Sequence, residues 1–167
     1  MGISSARTGM YFVCQGLGYV MASVFFTPLV ARYGKFISLT GSIIMIIALV
    51  FHLFLFNLNV PAPLYIGMVL FVYGIGCGTI LPSLMTISLK GISEDEMGTS
   101  SGIYLTLQQV SVAIGVAIVG GVFFGKLHHP VVASQFPIAY QWATLLNIGF
   151  LVIVSVLLLL VPKTKKL

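Results

Sequence analysis

Hydrophobic and polar residues are segregated along this chain into long blocks. Five apolar blocks, each longer than about 20 residues, are separated by short segments that hold most of the charged side chains. A helix of that length crosses a hydrocarbon core of about 30 Å. The pattern predicts five membrane-spanning helices, named spans a to e in chain order, over residues 8–30, 36–57, 63–88, 95–125 and 139–161.

Composition supports this prediction. The chain is 59% hydrophobic and only 7% charged, whereas a soluble domain carries about 25% charged residues. The predicted fold is an all-α integral membrane protein in which residues 1–167 form a single membrane domain. The net charge of +5 does not indicate nucleic acid, because the basic residues flank the spans and form no patch.

The distribution of basic residues predicts the orientation. Five spans place the two termini on opposite sides of the membrane. Cytoplasmic loops carry the excess of Lys and Arg. Six basic residues fall on one side of the membrane and two on the other. We therefore expect a protein of the cell (inner or plasma) membrane with its N-terminus outside and its C-terminus in the cytoplasm. The cytoplasmic group is Arg32, Lys35, Lys90, Lys163, Lys165 and Lys166, against Arg7 and Lys126 outside.

Span d is long enough to cross a bilayer, yet it carries two adjacent glutamines and six glycines. At 100° per residue, Tyr104, Gln108 and Ser111 fall on one stripe, and bulky aliphatic residues fall on the opposite face. Glycines on this polar stripe (Gly115) and on the stripe beside it (Gly98 and Gly102) predict close helix packing. Two interpretations of the polar groups remain open, which are interhelical hydrogen bonding and a water-filled substrate path.

Spans a and c also have small and polar faces. In span c, Gly74 and Gly78 form a GxxxG pair that predicts close packing. Tyr73 lies on another face of that helix and either packs or lines a cavity. Span a places Gln15 and Tyr19 on adjacent stripes. Spans b and e are mostly bulky aliphatic and aromatic residues, and we expect them to face lipid.

Acidic residues occur only in the turn that opens span d. Ser93 and Glu96 have the spacing of a capping box, and negative charge is favourable at a helix N-terminus. Deeper in the spans there is no Asp or Glu, so a proton-coupling carboxylate is not expected from this segment.

Other candidate chemistry is weak. His52 in span b is a poor candidate for a proton relay, and His128 with His129 gives a weak metal signal that is better interpreted as a solvated loop. Cys14 and Cys77 lie inside spans and are interpreted as packing residues. We expect no enzymatic activity, no metal site and no cofactor.

The segments GIGCGTILPSL and MGTSSGIYLTLQQVSVAIGVAIVGGVFF follow one another across the acidic turn. Their order resembles the C-terminal part of major facilitator superfamily transporters, in particular the 14-helix drug/proton antiporters of the multidrug efflux type. PLVARYGK, between spans a and b, resembles the cytoplasmic loop motif of that family, with Arg32, Gly34 and Lys35 at its positions. Thr27 and Ala31 depart from the motif, where the family commonly has a glycine and an acid.

The resemblance covers nearly the whole chain. It implies that spans a to e are the last five helices of such a transporter, built on inverted repeats that pair a with d and b with e. It further implies that a, c and d line a central cavity. The substrate-cavity candidates are then Gln15, Tyr19, Tyr73, Tyr104, Gln108 and Ser111.

The function implied by the resemblance is transmembrane transport, as a segment of a proton-coupled exporter of drugs or similar small amphipathic molecules. The N-terminal half of the transporter is absent from this sequence, so we expect the chain to be incomplete and inactive alone. Two explanations of the missing half remain open: a truncated or split gene, or assembly with another chain. The expected partners are the lipid bilayer, an amphipathic substrate and, in the second case, the N-terminal half as a separate chain. The alternative is a self-contained five-helix subunit or regulator that acts through helix packing.

Overall fold

The computed structural model describes residues 5–57, 62–127, 132 and 134–160, and these residues are almost entirely α-helical. They form α1 (Ser5–Asn57), α2 (Ala62–Ser88), α3 (Glu94–Gly125) and α4 (Gln135–Leu160). Within these helices lie five segments long and apolar enough to cross a membrane, which confirms the predicted fold class. The observed spans a to e are Thr8–Val30, Tyr33–Asn57, Tyr65–Ser88, Glu94–Gly125 and Gln135–Leu160. The predicted last residue of span e, Val161, lies outside the described residues.

The junction between spans a and b differs from the predicted loop. The helix α1 runs through it, and only Tyr33 has non-helical backbone angles, with φ −127° and ψ 21°. Its neighbours Ala31, Arg32 and Lys35 are good helix formers. A single non-helical residue is therefore enough to separate the two spans.

The chain divides into two compact units. Unit 1 comprises the described residues of Met1–Ile87 and Leu151–Leu167, and unit 2 comprises those of Ser88–Phe150. Spans a, b and c belong to unit 1 together with the last residues of span e. Span d and most of span e belong to unit 2.

In unit 1, spans a and c pack with their backbones in close contact. A Cβ atom added at Gly74 would overlap the backbone of Gln15, whose carbonyl carbon would lie 2.9 Å away. At Gly78 the same atom would lie 2.8 Å from Cα of Tyr19. Residue numbers rise together along the two helices, which makes them parallel. Gly18 contributes from span a, where a Cβ would overlap the carbonyl of Phe71.

Span b packs against the other side of span c in the antiparallel sense. A Cβ at Gly34 would lie 2.9 Å from Cγ1 of Ile87, and one at Gly41 would lie 3.1 Å from the amide nitrogen of Ile80. The end of span e joins them through a buried cluster of Met45, Ile80 and Leu158. Glycines on two faces of span c therefore allow it to contact spans a and b at backbone distance.

In unit 2, the turn before span d contains Gly91 at φ +87°, a conformation that favours glycine. Ser93 is the N-cap residue, as its spacing predicts, but the predicted capping box does not form. The Ser93 hydroxyl makes no bond to a backbone N–H and instead donates to Oε2 of Glu96 at 3.1 Å. The carboxylate is the stronger acceptor for that proton.

Span d ends beside aromatic residues of span e. Nζ of Lys126 lies 4.4 Å from the centroid of the Trp142 ring, within range of a cation–π interaction. The rings of Phe123 and Phe136 lie 6.5 Å apart. These contacts connect the end of one helix to the start of the next within unit 2.

Candidate functional site

The polar stripe of span d is open along its length. No residue of α3 is buried, and Tyr104, Gln108 and Ser111 share one face by their spacing. The Ser111 hydroxyl donates to the carbonyl of Leu107 at 2.8 Å, so its proton is satisfied within its own helix. Among the described residues, no hydrogen bond involves the Tyr104 hydroxyl or the Gln108 amide. These two groups are therefore available to a ligand, to water or to another polar chain.

Span a presents a similar pair of side chains. Gln15 is half-buried and Tyr19 is exposed. Their backbones contact span c at Gly74 and Gly78, whereas neither side chain forms a hydrogen bond with the part of the chain that the structure describes. The glycine contacts fix the position of these two residues, and their polar groups stay open.

Tyr73 lies in a different environment from the other cavity candidates. It packs, together with Cys77, against the buried cluster of Met45, Ile80 and Leu158. This contact favours the packing interpretation of Tyr73, and a contact with substrate stays a prediction.

The five glycines predicted to serve helix packing fall into two groups. Gly74 and Gly78 are buried against the backbone of span a. A Cβ at Gly98, Gly102 or Gly115 would have no heavy atom of the described residues within 4 Å. The packing role of these three glycines stays a prediction.

The loop motif is a site of interhelical contact. Gly34 is buried beside Ile87. Lys35 donates from Nζ to the carbonyl oxygen of Leu159 at 3.0 Å, and a cation is favourable at the C-terminal end of a helix. The side chain of Arg32 lies outside the described residues.

Sequence reasoning missed a group of buried hydroxyl residues. The expectation that span b faces lipid is wrong for one of its faces, because Ser38 and Ser42 are fully buried. The hydroxyl oxygens of Ser42 and Ser155 lie 2.9 Å apart between spans b and e, and each also lies 2.8 Å from a carbonyl oxygen of its own helix. One hydroxyl must therefore turn from its own carbonyl to donate to the other. The signal was present in the recurrence of small residues every three or four positions along span b. The remaining buried hydroxyls among the described residues are those of Thr79 and Ser83 in span c and of Thr144 in span e.

His52 lies in an aromatic environment, with ring centroids 5.9 Å from Tyr65 and 6.4 Å from Phe56. Cys14 and Cys77 are free thiols. The residues that the structure describes contain no cluster of His, Cys, Asp or Glu able to hold a metal ion. His128 and His129, the weak metal signal of the sequence, lie outside the described residues.

Comparison with known proteins gives the family. The model of the Major Facilitator Superfamily matches residues 1–167, the full length of the sequence. The chain belongs to the Major Facilitator Superfamily. It is also similar to a probable actinorhodin transporter of Streptomyces coelicolor, with 38% identity over 63 residues. That segment is 38% of this chain and 11% of the transporter's length. No solved structure matches the chain.

Major Facilitator Superfamily proteins are transporters, and this member is a multi-pass membrane protein by its family and its five apolar helices. Polar side chains inside the spans of membrane proteins commonly mark the path of a solute. Membership in this family therefore favours a contact with solute for the open polar groups of spans a and d.

Proposed function

We propose that this chain is a segment of an exporter of small amphipathic molecules and that the polar stripe of span d contacts the substrate. One observation carries the proposal. Span d has no buried residue, yet Tyr104 and Gln108 present a phenol and an amide without partners among the described residues. Leaving such a group unsatisfied in an apolar medium costs about 1–3 kcal/mol. A solute path that admits water supplies the missing partners.

The side chains of the stripe define the class of substrate. Tyr104 offers an aromatic ring and a hydroxyl, and Gln108 offers both donors and acceptors. Gly102 and Gly115 leave open space beside them. Such a surface suits a ligand with an apolar or aromatic body and one or two neutral polar groups.

Span a supports the same assignment independently. Gln15 and Tyr19 are the same two residue types at the same spacing of four as Tyr104 and Gln108, in reversed order. Both pairs have polar groups without hydrogen bonds to the described residues. We propose that Gln15 and Tyr19 contribute to substrate binding from span a.

Proton coupling would have to involve residues beyond this segment. The acids of the chain, Glu94, Asp95 and Glu96, are confined to the exposed first turn of α3. The matched transporter of Streptomyces coelicolor is much longer than the matched segment. We propose that a coupling carboxylate comes from the N-terminal half of the transporter, in the same polypeptide or as a separate chain.

The test replaces Gln108 with leucine in cells that produce the complete transporter, with the neutral dye Nile red as the exported probe. Gln108→Leu should lower the efflux rate about threefold to tenfold, the effect of losing one hydrogen bond in the substrate complex. Membrane abundance, measured by immunoblot, should not change, because this residue is not buried.

The matched control is Thr106→Val in the same helix. The Thr106 hydroxyl donates to the carbonyl of Gly102 at 2.9 Å, so it has no proton left for a ligand. Its efflux rate should equal that of the unmodified protein. Unchanged efflux in Gln108→Leu would contradict the proposal and leave the stripe as a helix-packing surface.

A further inference from the structure

A groove separates the first turns of spans a and c in unit 1. Its volume is about 440 Å³, and it is lined by Met10, Cys14 and Leu17 of span a and by Met68, Phe71 and Val72 of span c. It is open to the outside of the helix pair. The size lies within the range of small-ligand sites, about 300–1,000 Å³.

The groove exists because the two helices diverge. At Gly74 and Gly78 a Cβ would overlap the backbone of span a. At Gly67, two turns earlier, the nearest atoms are side-chain atoms, Sγ of Cys14 at 3.7 Å and Cδ1 of Tyr11 at 3.9 Å. Gly67 has no side chain to fill the widening space, and it forms part of the lining.

The shape and lining of the groove match a hydrocarbon tail. Met10 and Leu17 lie seven residues apart, so the groove follows the helix axis for about 10 Å. Lipid tails lie along the same direction beside a helix that crosses the membrane. The two methionines, Met10 and Met68, are unbranched and adapt to an irregular apolar occupant, and both are more than 60% exposed.

Water is a poor occupant of this groove. A water molecule needs about two to four polar partners, whereas the side chains of the lining offer only the phenol of Tyr11 and the thiol of Cys14. An empty apolar gap loses the dispersion contacts of its walls. We propose that this groove binds one acyl chain of a bilayer phospholipid.

The test uses the 167-residue chain in nanodiscs of phosphatidylcholine and phosphatidylglycerol. The nanodiscs contain increasing fractions of a photolipid, a phosphatidylcholine with a diazirine in one acyl chain. Mass spectrometry of proteolytic fragments locates the photolabel. Labelling of Phe71 in the groove should exceed that of Phe25, an exposed residue of the same type in span a, at every fraction of the photolipid. An acyl chain held in the groove stays in contact with its walls, whereas bulk lipid contacts Phe25 only transiently.

A variant that fills the groove sharpens the test. Gly67→Leu has room for its Cβ at ordinary contact distances and should lower labelling of Cys14 about tenfold. Gly16→Leu is the matched control, because a Cβ there meets no described atom within 4 Å. It should leave the labelling of Cys14 unchanged.

Three outcomes would overturn the proposal. They are labelling of Phe71 no greater than that of Phe25, labelling of Cys14 insensitive to Gly67→Leu in folded protein, and no label at Cys14 or Phe71 in a chain that sediments as a dimer, which would indicate a second copy in the groove. The comparison of Phe71 with Phe25 uses the unmodified chain, so the proposal stays testable if Gly67→Leu does not fold.

Discussion

Spans c and d are both rich in glycine, and the structure places their glycines in opposite environments. Of the most apolar window of span c, 39% is buried, against 0% for span d. Gly74, Gly76 and Gly78 of span c lie against the backbones or side chains of spans a and b. The glycines of span d, such as Gly98 and Gly102, have open space where a Cβ would be.

The comparison shows that glycine content alone does not identify a packed helix face. The absence of a side chain at glycine permits two helices to approach closely. The approach occurs only where a second helix lies opposite the glycine. Span c has partners on two sides. For span d the same composition leaves an open polar surface, which is the surface proposed to contact substrate.

The largest predicted effect compares alanine at one glycine of each span. Gly74→Ala places a Cβ into the backbone of Gln15, where no rotamer change can relieve the overlap. Its free energy of unfolding should fall by about 3 kcal/mol or more. Gly102→Ala meets no described atom and should gain about 0.5–1 kcal/mol from helix propensity. The free energy of unfolding of both variants of the 167-residue chain is measured by titration with a denaturing detergent.

Effects of opposite sign would confirm the contrast between the two spans. Equal destabilisation of both variants would show that Gly102 is also packed, and the open surface of span d would then need another explanation. The same pair measured in the complete transporter would reveal whether span d gains a partner there.

An intermediate effect is expected at Gly76. A Cβ there would overlap Cγ of Met45 and lie 2.8 Å from the carbonyl oxygen of Gly41. The methionine side chain can move, so we expect Gly76→Ala to lower the free energy of unfolding by about 1–3 kcal/mol. In a Met45→Ala background, Gly76→Ala should cost less by the part due to the methionine side chain, measured against Met45→Ala alone because that change itself empties part of the buried cluster. No cost at all in that background would show that Gly41 does not limit the approach of spans b and c.

The smallest predicted effect concerns the hydroxyl pair that joins spans b and e. Ser42→Ala and Ser155→Ala, singly and together, form a double-mutant cycle. The coupling energy should be about 0.6 kcal/mol, the average for hydrogen bonds between membrane helices. Thr40→Val replaces Ser42→Ala in the control cycle, because the exposed Thr40 bonds the carbonyl of Phe36 in its own helix. The coupling energy between Thr40 and Ser155 should be zero. Equal coupling energies in the two cycles would contradict a specific hydrogen bond between Ser42 and Ser155.

Parts of the packing could be predicted from single motifs, and others could not. The GxxxG spacing of Gly74 and Gly78 pointed to a packing face that the structure shows beside span a. Gly98 and Gly102 have the same spacing, and there the described residues supply no neighbour. The motif depends on local spacing, whereas the partner depends on residues far away in the chain.

Length and hydropathy alone predict the number of spans, their helical form and the membrane environment. A segment in lipid must satisfy its own backbone hydrogen bonds, so these two properties suffice to identify a spanning helix. The burial of Ser38 and Ser42, the bond from Lys35 to the end of span e and the divergence of the first turns of spans a and c are visible only in the packed helices. These features depend on which helix faces which and at what register. In lipid that choice rests on close packing between distant segments, which a hydropathy pattern does not encode.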